Sequence, residues 1–313
     1  MNKLGKDRIP FLFVIDFEMK KPVIIKLSEV SESILYKVND IKNFNVSLAK
    51  KITLNFEKHP VDYNKYSIAF GKVMDNIKNG NTYLLNLTFP TKIETNYSLK
   101  EIFFFSNAKY KLYYNNEFVV FSPETFIKIH NNNICSYPMK GTIDAAIENA
   151  EEKLLNDGKE LAEHNTIVDL IRNDLSVVSK NVKVEKFRYV EQVKTNLKTL
   201  IQTSSLISGD LEENFNESVG TLIFSLLPAG SISGAPKKRT VEIITETETY
   251  TRNYFTGIFG IFDGTNLDSA VMIRFIENIN SEFYFKSGGG ITFMSKPELE
   301  YQEMMDKVYV PII

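Results

Sequence analysis

The sequence predicts an α+β fold in which large antiparallel sheets are flanked by separate helices. Short strand-like runs follow one another over residues 111–143, joined by Asn-rich turns. Helical patterns lie apart from these runs and do not alternate with single strands, as they would in a doubly wound parallel fold. Phe occurs 23 times and Tyr 15 times, and such an aromatic content favours strands.

Composition limits the class of protein. With 313 residues, of which 43% are hydrophobic, the chain can bury a large core, and we predict one domain spanning residues 1–313. A net charge of −2 gives no indication of a nucleic-acid partner. The sequence has no apolar run near the roughly 20 residues of a membrane helix and no signal-peptide pattern, so we expect no membrane partner and a cytoplasmic protein.

The first half of the chain predicts two strands, a helix and then a series of strands. Apolar residues at helical spacing predict the helix over 62–78, which should end at the Asn79–Gly80 turn. A second, short helix is predicted over 98–108. The predicted strands fall within 11–30, 35–38, 50–56, 82–93 and 111–143.

The second half predicts longer helices. We predict one continuous helix over 147–175, mixed strand and helix over 182–206, and helices over 214–226 and 236–250. Asp263–Gly264 predicts the turn of a hairpin, and residues 282–293 read as a strand. The last helix, 296–308, has Ser295 and Glu298 at the spacing of a capping box.

Two helices carry glutamate pairs at a spacing of three residues, Glu160/Glu163 and Glu300/Glu303. On the first helix the pair shares a face with His164 and apolar residues, so the face is predicted to be buried. Buried carboxylates need a compensating cation or donor, and oxygen-only ligands suit Mg²⁺. The alternative for each pair is a solvated acidic turn.

Two glycine-containing segments could bind an anion. Gly288, Gly289 and Gly290 would let backbone N–H groups approach a ligand closely, although a β-bulge or tight turn would use the same residues. The segment LLPAGSISGAPKKR opens a helix with Lys237–Arg239, where the helix dipole disfavours cations, and this hints at an anionic neighbour.

Glu124 and Lys140 each lie close after a proline near a strand end. A carboxyl group in a partly apolar pocket could act as a general acid, and a lysine in such a pocket could act as a nucleophile. Both residues are also typical of ordinary surface positions, and spacing does not decide between these interpretations.

These segments, in this order, resemble the chorismate-utilising enzymes, which include anthranilate, aminodeoxychorismate, isochorismate and salicylate synthases. The matching segments span about residues 62–308: FSPETF, YPMKGT, KELAEHNTIVDLIRNDL, LLPAGSISGAPKKR, YFTGIFG, AVMIRF, SGGGIT and ELEYQEMMDKV. The resemblance implies a large α/β/β/α sandwich of antiparallel sheets flanked by helices, with a shortened N-terminal region.

The resemblance also implies how chorismate and Mg²⁺ are bound. Glu163 and Glu303 match the direct Mg²⁺ ligands, and Glu160 and Glu300 match carboxylates that hold metal-bound water. The positions that match substrate contacts are Gly141, Thr142, Phe255, Arg274, Gly288, Gly289, Gly290 and Lys307.

The remaining matches concern catalysis and select a subfamily. Glu124 matches the acid that protonates the leaving C4 hydroxyl, and His164 matches a histidine beside the metal. Lys140, in PMKGT, matches the lysine with which aminodeoxychorismate synthases attack C2, where anthranilate synthases have Ala. Leu84 stands where isochorismate and salicylate synthases carry a base for water.

Within the family the chain most resembles aminodeoxychorismate synthase component I, and this resemblance implies conversion of chorismate and ammonia to 4-amino-4-deoxychorismate for 4-aminobenzoate and folate synthesis. Cys135, the only cysteine, is predicted to lie in a strand, so we expect ammonia from a separate glutamine amidotransferase subunit or from solution. Two alternatives stay open: anthranilate synthase component I, and a non-catalytic chorismate-binding subunit.

Overall fold

A computed structural model describes residues 1–45, 53–194 and 199–312 of the chain. In chain order the strands are β1 (Phe11–Ile15), β2 (Val23–Lys26), β3 (Ile34–Val38), β4 (Ile41–Lys42), β5 (Phe56–His59), β6 (Leu84–Thr95), β7 (Tyr110–Tyr114), β8 (Phe118–Ser122), β9 (Thr125–His130), β10 (Asn133–Ser136), β11 (Met139–Asp144), β12 (Lys180–Lys194), β13 (Thr199–Asp210), β14 (Gly234–Ala235), β15 (Ile258–Phe262), β16 (Leu267–Val271), β17 (Phe275–Ile279) and β18 (Glu282–Thr292). The α-helices are α1 (Asn2–Lys6), α2 (Tyr63–Lys78), α3 (Leu99–Phe105), α4 (Ala150–Asn156), α5 (Gly158–Val178), α6 (Val219–Leu226), α7 (Gly230–Ser233), α8 (Lys237–Thr247) and α9 (Pro297–Asp306).

The chain divides into two compact units, each built from three segments. Unit 1 consists of Met1–Glu29, Glu124–Ser231 and Gly257–Val271. Unit 2 consists of Val30–Pro123, Ile232–Thr256 and Met272–Ile313. The single domain that the sequence predicts over residues 1–313 stays a prediction, because this division concerns contacts within the chain and not independent folding.

Unit 1 is organised around an antiparallel sheet. Its strand order is β11-β13-β10-β9-β16-β15-β1-β2, and β12 pairs with β13. All five residues of β1 are buried, and this strand pairs with β15 and β2 along its two edges. Helix α5 packs against β11, β12 and β13, and this contact brings its carboxylate-bearing face to that end of the sheet.

Unit 2 is organised around a second antiparallel sheet. Its strand order is β14-β6-β18-β17-β8-β7-β3-β4, and β5 pairs with β6. Helices α2 and α9 pack against β18, α8 packs against β6, and α3 packs against β7 and β8. Two antiparallel sheets with packed helices confirm the predicted α+β fold.

Helix α2 illustrates how the sequence pattern positions an element. Asp62 caps it by accepting a hydrogen bond from Asn64 N, and Asn79 ends it before Gly80, as the turn signal predicts. The five apolar residues at helical spacing are all buried: Tyr66, Ala69, Phe70, Val73 and Ile77. The helix therefore buries the face that its sequence predicts.

Three element predictions are wrong. The helix predicted over 147–175 is broken at Asp157, whose side chain accepts from Glu160 N and so starts a new helix. No helix interrupts the described part of 182–206, because β12 and β13 pair there as a long hairpin. Residues 53–55 of the strand predicted over 50–56 are not strand, since β5 begins at Phe56, and residues 50–52 lie outside the described ranges.

The predicted capping box of the last helix is also wrong. Helix α9 has Lys296 at its N-cap without a side-chain hydrogen bond, and Pro297 occupies its first turn. Ser295 Oγ instead accepts from Thr292 N, and Glu298 accepts from the Tyr63 hydroxyl. None of the helices in the described ranges has the length and apolar character needed to cross a membrane.

Candidate active site

Helix α5 carries the first glutamate pair on the predicted face. Glu163, His164, Ile167 and Ile171 are buried along it, and Glu163 is 3% exposed. Glu160 is only partly buried, one turn nearer the helix N-terminus. The alternative interpretation of this pair, a solvated acidic turn, is therefore wrong for Glu163.

A β-bulge in β11 presents Lys140 to this carboxylate. Lys140 pairs with Thr203 and Thr142 pairs with Gln202, so Gly141 is the extra residue, with φ of +81°. The Lys140 carbonyl also accepts a hydrogen bond from the Thr203 hydroxyl. Lys140 Nζ lies 2.5 Å from Glu163 Oε2, and Lys159 Nζ lies 3.6 Å from Glu163 Oε1.

His164 is a fully buried, neutral imidazole beside this cluster. Its Nε2 lies 2.6 Å from Ser205 Oγ, which also accepts from Arg188 N at 2.9 Å. Burial first, and then the positive charges of Arg188 and Lys140, lower the pKa of His164 to about 4. Within the described ranges, its Nδ1 has no hydrogen-bond partner. The ring is therefore uncharged at neutral pH.

Glu124 lies between β8 and β9, on the wall of a pocket within unit 1. Its carbonyl accepts from Val271 N at 3.2 Å, and its carboxylate Oε1 accepts from the Ser231 hydroxyl. The pocket is lined by Glu124, Thr125, Phe126, Ile127, Ser136, Pro138, Ile171, Asp174, Leu175, Leu226, Ala229 and Ser231. Most of this lining is apolar, and a carboxyl group in such surroundings could act as a general acid.

In unit 2, the second glutamate pair lies on helix α9, which packs against strand β18. Glu300 is 2% exposed, whereas Glu303 is exposed and lies 2.7 Å from Lys307 Nζ. Lys307 Nζ also donates to Gly288 O at 2.9 Å. A methyl group on Gly289 would lie within 3.9 Å of Glu300, Glu303 and Lys307, so these charged groups converge on one glycine.

The glycine triplet is neither a bulge nor a turn but part of regular β18. Gly288, Gly289 and Gly290 pair with Thr88, Leu87 and Asn86 of β6. On the other side of β18, the pairing with β17 ends at Lys286. Beyond Lys286, β17 therefore does not pair with the edge of β18 that faces away from β6. This arrangement suits the predicted anion cradle.

Arg274 and Phe255 have structural contacts that the sequence did not indicate. Arg274 Nη1 donates to the Lys307 carbonyl at 2.8 Å, and its guanidinium lies 4.9 Å from the Tyr309 ring centre. Burial lowers the pKa of Arg274. Phe255 is 2% exposed and packs against Phe275, while Thr142 is exposed in β11. Whether these residues touch substrate stays a prediction.

The residues present in each half of the predicted metal site fit Mg²⁺. All four donors are carboxylate oxygens, the ligands that Mg²⁺ prefers. Glu163 Oε1 is buried and, among the described residues, accepts no hydrogen bond. A separate group, Glu57, His59 and Glu94, has ligand atoms within 4.8 Å of one another, but it is exposed on β5 and β6 and the sequence did not single it out.

Each unit of this α+β fold has its own charged cluster: Lys140 lies beside Glu163 in unit 1, and Lys307 lies beside Glu303 in unit 2. The profile of the chorismate binding enzyme family matches residues 26–312. The chain belongs to this family.

Relatives with different named activities are similar to this chain. A protein of Haemophilus influenzae, named an uncharacterized PabA-like protein, is 50% identical over 99% of this chain and 95% of its own length. Aminodeoxychorismate synthase component 1 of Escherichia coli is 39% identical over 60% of this chain, but this match spans 42% of that protein. Anthranilate synthase component 1 of Acetivibrio thermocellus is 36% identical over 59% of this chain and 38% of its own.

Solved structures agree on the fold. Anthranilate synthase component I from Streptococcus pneumoniae has a TM-score of 0.68 at 28% identity and covers 81% of this chain and 58% of its own. A putative 2,3-dihydroxybenzoate-specific isochorismate synthase from Bacillus anthracis has a TM-score of 0.73 at 20% identity, covering 98% and 86%.

Proposed function

We propose that the chain is aminodeoxychorismate synthase component I, which forms 4-amino-4-deoxychorismate and water from chorismate and ammonia. The observation that carries the proposal is the placement of Lys140 by the Gly141 bulge, with Nζ 2.5 Å from the buried Glu163. A family member that adds ammonia directly at C2 has no use for a lysine here. The matches with aminodeoxychorismate synthases of 39% and 36% identity support this choice.

The proposed reaction has two substitutions. Lys140 Nζ, as a free amine, forms a bond to C2 of chorismate, both ring double bonds shift along the ring, and the C4–O bond breaks. Glu124 gives its proton to the departing oxygen, so water leaves. Ammonia then forms a bond to C4, the C2–N bond breaks, and Lys140 regains its amine. The Glu124 carboxylate takes up the proton that the added ammonia loses.

Binding of chorismate, a dicarboxylate, requires cationic and hydrogen-bonding groups. We assign the anion contacts to the backbone of Gly288–Gly290, to Lys307 and to Arg274, and further contacts to Gly141, Thr142 and Phe255. Glu163 and Glu303 would hold Mg²⁺, with Glu160 and Glu300 supporting its water. The ion would supply charge neutralisation of a substrate carboxylate.

The test is a product assay with chorismate, Mg²⁺ and ammonium, coupled to a separate lyase that releases 4-aminobenzoate. The expected result is 4-aminobenzoate as the main product. Anthranilate or isochorismate as the main product would overturn the proposal. Calorimetry with chorismate, with and without Mg²⁺, separates a chain that binds chorismate without turnover from an active enzyme.

Lys140→Ala tests the covalent step. It should lower turnover by at least about 10³-fold, the scale seen when a nucleophile is removed. Without ammonium, the wild-type protein should carry a mass adduct equal to chorismate minus water on Lys140. Lys159→Ala, which removes a second lysine near Glu163, should still form the adduct.

Anthranilate synthase is the second candidate, because relatives of this activity match almost as closely, at 36% identity. This activity predicts that Lys140→Ala is nearly as active as the wild-type enzyme. The same pair of assays therefore distinguishes the two reactions.

A further inference from the structure

We propose that Ser231 is a positioning residue that fixes which oxygen of Glu124 carries the acid proton. The inference rests on the proposed function for the role of Glu124 as the acid. It concerns a contact within unit 1, because Ser231 closes the second segment of that unit and Glu124 opens it.

The backbone at Glu124 is held in place, but this does not orient its carboxyl group. Pro123 precedes it, its carbonyl accepts from Val271 N at 3.2 Å, and β9 begins at Thr125. A glutamate side chain has three further torsions, each with several staggered or broad minima. The hydrogen bond from the Ser231 hydroxyl to Oε1 ties down the carboxyl end of this side chain.

The surroundings make this hydrogen bond strong. Glu124 and Ser231 line one pocket with the apolar Phe126, Ile171 and Leu175, and Asp174 is a second titratable group on the wall of this pocket. Low local polarity strengthens a hydrogen bond between groups that are already in contact. Hydrogen bonds to ionised groups are also stronger than those between neutral groups.

The direction of donation determines where the acid proton resides. The unprotonated oxygen of a carboxyl group is the better acceptor, so donation from Ser231 to Oε1 favours the form of protonated Glu124 that carries its hydrogen on Oε2. During acid transfer, the Oε2–H bond breaks, the proton goes to the leaving oxygen, and the electron pair stays on the carboxylate. Ser231 keeps its own proton and stabilises the carboxylate that forms. Ser231 therefore aims the acid and favours its ionised product.

Ser231→Ala tests the inference through a pH profile. Activity is lost above the pKa of an essential acid, so Glu124 sets the alkaline limb of kcat/KM. Loss of a donor to the ionised form raises the pKa of the acid, so this limb should move to higher pH by about one unit. We expect kcat to fall by about tenfold, KM for chorismate to stay within about twofold, and Ser231→Thr to restore both kcat and the limb.

Ser136→Ala is the matched control. Ser136 lines the same pocket, but its hydroxyl donates to the Phe126 carbonyl at 3.0 Å and not to Glu124. This variant should keep the alkaline limb of the wild-type enzyme, whatever its effect on rate. A limb that moves equally in both variants would mean that general loosening of the pocket is responsible.

Two outcomes overturn the inference: Ser231→Ala with the wild-type kcat, or Ser231→Ala with reduced kcat and an unmoved limb. If Ser231→Ala fails to fold, Ser231→Cys keeps the volume with a weaker donor and should move the limb in the same direction. An unmoved limb in that variant also overturns the inference. Chorismate consumption is followed alongside products, so a wild-type enzyme that forms anthranilate contradicts the proposed function while the limb still decides the role of Ser231.

Discussion

Gly288 and Gly289 are adjacent in β18, yet their replacement by Ala should have opposite consequences. A methyl group on Gly288 would lie 2.2 Å from the Leu87 carbonyl oxygen, which is fixed in the β6 ladder. A methyl group on Gly289 would lie 3.5 Å from Glu300 Oε2, at ordinary contact distance. We expect Gly288→Ala to lower the free energy of unfolding by about 3 kcal/mol or more.

Gly289→Ala should instead change stability by no more than about 0.5 kcal/mol, because its surroundings accept the methyl group. The added carbon would intrude among Glu300, Glu303 and Lys307, so KM for chorismate should rise at least about tenfold, which corresponds to one lost hydrogen bond. Urea denaturation and substrate titration measure the two effects. A wild-type KM for Gly289→Ala would remove the triplet from the binding site.

Candidate site residues could be named from the sequence, and their roles stay predictions, but the backbone geometry that holds them could not be predicted. The PMKGT segment identifies Lys140. The bulge at Gly141 depends on the register with Thr203 and Gln202, some sixty residues further on, which no local pattern encodes. Ser231 lies in a segment that the small-residue pattern had already singled out. What the pattern lacked was the long-range contact with Glu124.

At the scale of the element, Lys111 is a buried cation that ends helix α3. Its Nζ donates to the carbonyls of Phe103 and Ser106 at 2.6 Å and 2.8 Å. Burial first, and then the charges of Lys37 and Lys42, lower its pKa from 10.5 to about 8. Between these values the unfolded chain binds more protons than the folded chain. Stability should therefore rise with pH across this window and be lowest below about pH 8.

Lys111→Met tests this linkage. The wild-type free energy of unfolding should gain up to about 3 kcal/mol relative to the variant between about pH 8 and pH 10.5. Urea denaturation of both proteins along this range gives the difference, in which other titrating groups cancel. Lys100→Met, on the exposed face of the same helix, should keep the wild-type slope. A flat difference for Lys111→Met would contradict the buried ammonium.

Arg252 joins helix α8 to the interior of unit 2. It forms an ion pair of 2.6 Å with Glu248, with both side chains about 2% exposed or less, and it donates to the Asn86 carbonyl. Arg252→Ala would remove the cation that pairs with the buried Glu248, which would retain only its hydrogen bonds from Thr88, and should cost about 3–5 kcal/mol. Arg239→Ala, which removes an exposed pair with Glu242 on the same helix, should cost less than about 1 kcal/mol. Equal losses in chemical denaturation would contradict this contrast.

Helices and strands were predicted correctly where the sequence signals agreed. The predictions were wrong where two signals competed. In α2 the apolar period, the Asp62 cap and the Asn79–Gly80 stop agree. Near Asp157 the apolar period continues, but Asp157–Gly158 also provides a cap, and the cap starts a new helix there. The hairpin of β12 and β13 is a pairing between strands and leaves only a weak local period in each strand.

At the scale of the whole molecule, both sheets are assembled from segments distant in sequence, which explains why strand order could not be predicted. In unit 1, β9 from the middle of the chain pairs with β16, and β1 pairs with β15. Sequence patterns predict strands and helices, whereas this pairing is decided by packing between distant segments. The ordered family motifs predict the fold, but they do not predict the order of its strands.

The source of ammonia is a property of the whole chain, because Cys135 is its only cysteine. Cys135 lies in β10 with Sγ 3.0 Å from Asn133 Oδ1, and burial raises the pKa of its thiol. A thiol with a raised pKa is a poor nucleophile. The purified chain should therefore use ammonium, with glutamine-dependent turnover at least about 10³-fold slower.

Cys135→Ala separates this prediction from an unrecognised glutaminase activity. The variant should keep ammonium-dependent turnover within about twofold of the wild-type rate, since Cys135 is only partly buried in β10 and is not among the proposed substrate contacts. Addition of a separate glutamine amidotransferase should enable glutamine use by both proteins equally, because the thiol has no part in ammonia release. Glutamine turnover by the chain alone that disappears in Cys135→Ala would assign the glutaminase to this chain and contradict the need for a partner.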